Sequence, residues 1–186
     1  MDIIYTFNSI KSFYKVIKNK KANNNKYINN GDKNTIPLVI RVFMDFPKYI
    51  IDDIYIGNIF IASNWSLIRD YDIKYIINLC NVDNYFSNNK QIIYKNFVLD
   101  EELKNLDELL DYIINIQSIF STDKNKKRNI LLHSFYGNNL TCVVIIAYLI
   151  YKYNFSFKKA TLYVCKNIEN YNINKKYYDI LKKKYE

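Results

Sequence analysis

From Pro47 onward, short apolar runs alternate with longer segments of helical period. Ile54–Ile56 reads as a strand that ends in the turn Gly57-Asn58, and the mixed pattern of Ile59–Ile68 fits loop and a short helix ending near Arg69. Lys74–Leu79 and Ile92–Leu99 read as two more strands, separated by the polar stretch Asn81–Asn89. Leu106, Leu109, Leu110, Ile113, Ile116 and Phe120 recur at three- and four-residue steps, which predicts a long amphipathic helix over Leu106–Phe120. After the charged loop Ser121–Asn129, Ile130-Leu131-Leu132 is short and wholly apolar, as a central strand covered on both faces must be.

The turn His133–Asn139 then leads into Leu140–Lys152, which is apolar nearly all round and is predicted as a buried helix. Ser156 is placed to N-cap the next helix, whose stripe is Phe157, Ala160, Val164 and Ile168. A last helix, Lys175–Glu186, presents Tyr178, Leu181 and Tyr185. Strands alternating with helices predict an α/β domain over residues 47–186, with a central, mostly parallel twisted sheet flanked by helices. Upstream, Phe7, Ile10, Tyr14 and Ile17 form the stripe of an amphipathic helix within residues 1–19, with Lys11, Lys15 and Lys18 between them. Residues 20–46 read as a polar linker or extension containing Asn23-Asn24-Asn25, Asn29-Asn30 and Gly31. Such a linker leaves two arrangements open: the helix packs on its own domain, or it docks on a second copy.

Composition narrows the classes. The 186 residues are 49% hydrophobic, enough for a real core, which excludes a disordered tail protein or a collagenous chain. Cys80, Cys142 and Cys165 are too scattered for a disulfide framework, and with a single histidine no cluster of metal ligands forms. Neither a metal nor another cofactor is expected. The net charge is +9, from 27 Lys+Arg against 18 Asp+Glu. Only Arg41, Arg69 and Arg128 are arginines, whereas a nucleic-acid reader favours arginine for bidentate contacts. The abundant Lys, Asn, Ile and Tyr all have A/T-rich codons, so the charge reads as compositional and nucleic acid is not the expected partner. Met1–Ile10 is not a basic run followed by an apolar core, and the apolar run Cys142–Ile150 is far short of the ~20 residues of a membrane span. A cytoplasmic protein with no membrane partner is the expectation.

The stretch His133-Ser134-Phe135-Tyr136-Gly137-Asn138-Asn139-Leu140-Thr141 carries the candidate chemistry. A tight loop between a central strand and a buried helix aims backbone N–H groups into one small volume, and the helix N-terminus adds positive potential. Gly137 sits where a special dihedral or a close approach needs a glycine. On these grounds alone, a phosphate cradle and an ordinary strand-to-helix turn are equally good readings.

The arrangement resembles the cysteine-dependent dual-specificity phosphatases, whose loop reads His-Cys-x-x-Gly-x-x-Arg-Ser/Thr. His133, Gly137 and Thr141 fall on its fixed positions. Ile54-Tyr55-Ile56-Gly57-Asn58, Lys74–Leu79 with Asn81, Ala147-Tyr148-Leu149-Ile150, Lys158-Lys159-Ala160 through Val164, and Tyr178–Glu186 continue the likeness, from about Pro47 to Glu186. The resemblance implies the three-layer phosphatase fold. The N-terminal helix is similar to the extension of poxvirus members of the family, where it is exchanged within a dimer, and the A/T-rich composition fits such a source. Homodimerisation through Phe7, Ile10, Tyr14 and Ile17 is therefore expected.

Two positions depart from the pattern. Ser134 stands where the resemblance places the nucleophilic cysteine, and Leu140 where it places the phosphate-clamping arginine. A serine hydroxyl ionises far less readily than a thiol, and the motif offers no second base to activate it. Leucine cannot make the bidentate, charge-assisted contact of arginine. Asp100 falls at the position of the general acid, beside Glu101 and Glu102, where it would protonate a leaving oxygen or, with no nucleophile to serve, simply cap a strand end. The double departure points to a pseudophosphatase that binds a phosphorylated or unphosphorylated protein, with Phe135 and Tyr136 walling a shallow pocket and His133 serving a structural role. The alternative is a working phosphoprotein phosphatase or RNA 5′-triphosphatase-like hydrolase in which Ser134 is an engineered replacement of the cysteine; an engineered trap would have kept the arginine.

Overall fold

Ile130, Leu131 and Leu132 are completely buried, and the rest of the molecule is arranged around them. The computed structural model describes residues 46–121, 129–168 and 171–186. The expected amphipathic helix with Phe7, Ile10, Tyr14 and Ile17, and the linker up to residue 45, lie outside the described residues. Five strands, β1 (Lys48–Ile51), β2 (Ile54–Gly57), β3 (Ile73–Asn78), β4 (Ile93–Asn96) and β5 (Asn129–His133), form one sheet in the order β1-β2-β5-β3-β4. β5 runs parallel to β2 and β3, β4 runs parallel to β3, and β1 alone is antiparallel to its neighbour.

Side chains alternate across β5: Ile130 and Leu132 join one core cluster and Leu131 the other. This is the period-two pleat of a strand covered on both faces. The larger cluster lies under α3 (Leu106–Ser121), α4 (Leu140–Tyr153), α5 (Phe157–Asn167) and α6 (Lys175–Tyr185). The smaller one lies under α1 (Ile59–Ala62) and α2 (Trp65–Asp70), where Ile61, Ala62 and Ile68 meet Ile73 and Ile76. The α/β architecture expected from the sequence, a mostly parallel sheet with helices on both faces, is the one observed. In α4, Thr141 through Leu149 are all buried, and the helix stops at Asn154, which takes the left-handed conformation (φ 54°) that ends helices. The Ser156 side chain caps α5 as expected, accepting from Lys159 N.

Three elements differ from the sequence reading. The mixed stretch after Gly57 holds two short helices, because Asn58 accepts from Phe60 N and Ile61 N and Asn64 accepts from Leu67 N. β4 is shorter than Ile92–Leu99: Phe97 and Leu99 are buried in the core but lie beyond the β3–β4 ladder. β1 was not anticipated. It folds back through Asp52-Asp53, whose φ angles of 50° and 58° are those of a two-residue hairpin turn.

Asp52 also fastens that hairpin to the helical layer. Its Oδ2 lies 2.6 Å from the hydroxyls of Tyr148 and Tyr153 and 3.0 Å from Lys152 Nζ. Burial opposes ionisation of this carboxyl, but the donors from Tyr148, Tyr153 and Lys152 outweigh it and hold the carboxyl below its ordinary range.

Candidate functional site

The carboxyl ends of parallel strands are where α/β sheets present their loops to ligands. Here β2 and β3 flank β5, with Gly57 and Asn78 both in register with His133. The backbone of the following loop is pinned on both sides. Leu79 N donates to His133 O at 2.9 Å, and Ser134 N donates to Gly57 O at 3.3 Å. Gly137 has φ +74°, and a Cβ there would lie 2.7 Å from the carbonyl carbon of Gly57. Positive φ and close approach both demand glycine at this point. Inside the loop, Gly137 N donates to Ser134 Oγ at 3.1 Å and Thr141 Oγ1 donates to Gly137 O at 2.7 Å.

The far side of the loop is strapped to the segment before α6. Asn172 N donates to Asn138 O at 3.1 Å, and Asn174 N donates to Asn139 Oδ1 at 3.2 Å. Because its side chain is engaged there, Asn139 does not cap α4, which has no side-chain cap. Among the described residues, the backbone N–H groups of Tyr136, Asn139, Leu140 and Thr141 find no acceptor. Together with the start of a 14-residue helix, they form a nest suited to an anion.

The side chains in the nest are less suited to phosphoryl transfer. Ser134 is 3% exposed, and among the described residues its hydroxyl meets a loop amide but no base. His133 is also buried, and burial alone pushes its pKa down to about 3, so the imidazole is neutral and resists taking a proton. Its Nδ1 lies 4.0 Å from Cys80 Sγ, a thiol that is 3.2 Å from Asn78 Oδ1. This pair does not replace the missing cysteine, because an imidazole that refuses protons cannot activate a neighbouring thiol.

Leu140 is half-buried and packs against the main core cluster, so the position at which the motif has its arginine is occupied by hydrocarbon. The one arginine among the described residues, Arg69, pairs with Asp70 on α2 at 2.9 Å. Phe135 and Tyr136 meet edge to face at 4.9 Å and form an aromatic rim, with Tyr136 the more exposed.

Asp100 lies on the exposed loop after β4. Its Oδ1 accepts from Glu102 N and Lys104 N, at 3.0 Å each, which caps the turn leading towards α3. Glu101 binds Lys176, and Glu102 binds Lys104 at 2.6 Å. The structure thus brings His133 through Thr141 together as one loop, while the Asp100 carboxylate caps the turn that follows it. Phe7, Ile10, Tyr14 and Ile17, expected from the sequence to mediate dimerisation, lie outside the described residues. The strap through Asn172 and Asn174 was not foreseen, since two asparagines in a polar run carry no sequence signal for a contact with a loop some 35 residues away.

The model of the dual specificity phosphatase catalytic domain matches residues 54–186. Human dual specificity protein phosphatase 7 is 29% identical over 131 residues, which cover 69% of this chain and 30% of that protein. The chain therefore spans about a third of the length of the curated relatives it first matches. Among solved structures, a leucine-rich repeat and phosphatase domain containing protein from Entamoeba histolytica superposes with a TM-score of 0.60 at 22% identity, covering 77% of this chain and 91% of the other. The human tyrosine phosphatase-like serine/threonine/tyrosine-interacting protein gives 0.61 at 15% identity, over 74% of this chain and 94% of that one.

Proposed function

We propose that this chain, which belongs to the dual-specificity phosphatase family, is a pseudophosphatase that keeps the family's loop as a weak phosphate-binding nest for a protein ligand. One observation carries the reading: among the described residues, the buried Ser134 hydroxyl has a loop amide for company but neither a base nor a guanidinium. A serine with an ordinary hydroxyl pKa is a poor attacker, and the neutral His133 cannot take its proton. Leu140 removes the fork that would strengthen its grip as charge builds on the transferring group. If each loss costs about 3–4 kcal/mol, each lowers the rate roughly 10²–10³-fold. Binding is less affected than catalysis, because the N–H groups of Tyr136, Asn139, Leu140 and Thr141 remain available to an anion. The Asp100 cap fits the same reading, with its carboxylate serving the backbone.

The test pairs two measurements on the full chain. Addition of inorganic phosphate should shift the amide resonances of residues 136–141, with a Kd in the millimolar range. Hydrolysis of a small aryl phosphate at high protein concentration should stay at background and be unaltered by Ser134→Ala. Turnover that Ser134→Ala abolishes would contradict the inactive reading. Unmoved loop amides would contradict the phosphate-binding one.

A further inference from the structure

The parallel pairing of β3 with β5 brings together two side chains that stand 53 residues apart in the sequence. Asn78 is in register with His133, and Leu79 N donates to His133 O at 2.9 Å. Cys80 comes next, and its Sγ lies 4.0 Å from His133 Nδ1. The thiol proton points elsewhere, to Asn78 Oδ1 at 3.2 Å, so it does not fill the gap between sulfur and ring nitrogen. Both donors are held firmly. Asn78 Oδ1 also accepts from Cys80 N at 3.0 Å, while Asn78 Nδ2 donates to Val82 O at 2.9 Å and to Asn84 Oδ1 at 3.1 Å. His133 ends the central strand and is 2% exposed, whereas Cys80 is half-buried. The ring is therefore the inner wall of the gap and the thiol the side nearer solvent. The sequence gave no reason to expect a metal, because scattered cysteines and one histidine form no spaced motif; the sheet supplies the juxtaposition instead.

We propose that Cys80 Sγ and His133 Nδ1 form a two-donor site for a soft monovalent metal ion, copper(I). The site is independent of the loop's reading as a phosphate nest. Thiolate and imidazole are both donors that suit copper. With bonds of about 2.3 Å to sulfur and about 2.0–2.1 Å to nitrogen, the two donors stand roughly 3.6 Å apart at a tetrahedral ion and roughly 4.3 Å apart at a linear one. The observed 4.0 Å lies between these limits, within a small side-chain adjustment of either. Ligand number and charge decide between ions. Zinc(II) takes four ligands, and no group of three or more His, Cys, Asp or Glu side chains gathers among the described residues. Copper(I) is satisfied by two. Its single charge also cancels that of the thiolate, so no net charge is left beside the buried ring, whereas a divalent ion leaves one there. On binding, the thiol gives its proton to solvent, sulfur and Nδ1 each donate an electron pair, and nothing is oxidised or reduced. The ring proton sits on Nε2. The ion then ties the end of β3 to the end of β5 at the root of the loop His133–Thr141.

The experiment titrates the reduced full chain with copper(I) under argon, in competition with the chelator bathocuproine disulfonate, and follows the ring nitrogens of the single histidine by NMR. The wild type should hold one equivalent against the chelator, with the Nδ1 resonance shifted and Nε2 protonated. Cys80→Ser and His133→Gln should each weaken binding by about 100-fold or more. Cys165→Ser, which removes an exposed thiol, should leave it unchanged. One equivalent of copper(I) should also slow alkylation of Cys80 by about tenfold or more and leave Cys165 reactive. Ring nitrogens that do not move at one equivalent, or a Cys80→Ser protein that binds as tightly as the wild type, would overturn the site. Binding lost in Cys165→Ser would likewise overturn it, by showing that an exposed thiol alone holds the ion. Zinc(II) held more tightly than copper(I) by the same two residues would overturn the choice of ion. Should His133→Gln fail to fold, Cys80→Ser and the ring-nitrogen shift decide the matter by themselves.

Discussion

Replacing His133 by glutamine and following stability against pH probes the base of the loop directly. The chain has one histidine, so its titration can be observed without overlap. In the folded protein, burial pushes its pKa from 6.5 to about 3. A folded pKa below the unfolded one means that, between these values, the unfolded chain binds a proton that the native state refuses. The neutral ring therefore costs nothing above pH 6.5, and stability is lost progressively as pH falls from about 6.5 towards 3. At 1.36 kcal/mol per unit, the full window amounts to about 5 kcal/mol, of which ~2.5 kcal/mol is lost between pH 7 and 4.5. Urea unfolding across that range should show the wild type losing about this much more than His133→Gln, the carboxylates cancelling in the difference. The imidazole resonances of the folded wild type should stay at their neutral positions down to pH 4.5. A ring that titrates near 6.5 in the folded protein, or parallel stability curves for the two proteins, would refute the claim that His133 is a buried neutral residue unable to act as a base.

Asp52→Asn keeps the turn but removes the anion shared by Tyr148, Lys152 and Tyr153, and should cost about 1–3 kcal/mol in urea unfolding. The Asp52 pKa is held below its unfolded value, so its contribution is present above about pH 4 and disappears as pH falls through the folded value; a pH-independent loss down to pH 2 would show that the carboxylate is not the anchor. Gly137→Ala meets both the +74° φ and the Gly57 carbonyl, and should destabilise by about 2 kcal/mol or more; a change within about 0.5 kcal/mol would contradict the tight packing of the loop on β2. For the expected dimer, sedimentation of the chain with and without residues 1–20 should give a dimer and a monomer, and equal masses would reject dimerisation through Phe7, Ile10, Tyr14 and Ile17.

Much of the scaffold was legible because periodicity and burial agree. Leu106, Leu109, Leu110, Ile113 and Ile116 are all buried on α3, and the all-round apolar pattern of Leu140–Lys152 matches a helix buried from Thr141 to Leu149. The same logic overextended β4, since Phe97 and Leu99 are apolar for packing and not for strand pairing. It missed β1, where Lys48 and Tyr49 are exposed and four residues at a sheet edge leave no alternation to detect. The loop His133–Thr141 was legible as a contiguous motif. Its partners were not, because Gly57, Asn172 and Asn174 meet it only through the tertiary fold. Nor could the sequence give His133 its buried, neutral state, which depends on its place between the flanking strands β2 and β3.

The most direct measurement is rapid-quench mass spectrometry of the intact native chain after mixing with excess aryl phosphate, searching for phosphate bonded to the Ser134 side chain. The account predicts no covalent adduct at any mixing time, with the substrate recovered unhydrolysed. A phosphorylated Ser134 peptide that forms and decays on the timescale of turnover would contradict it.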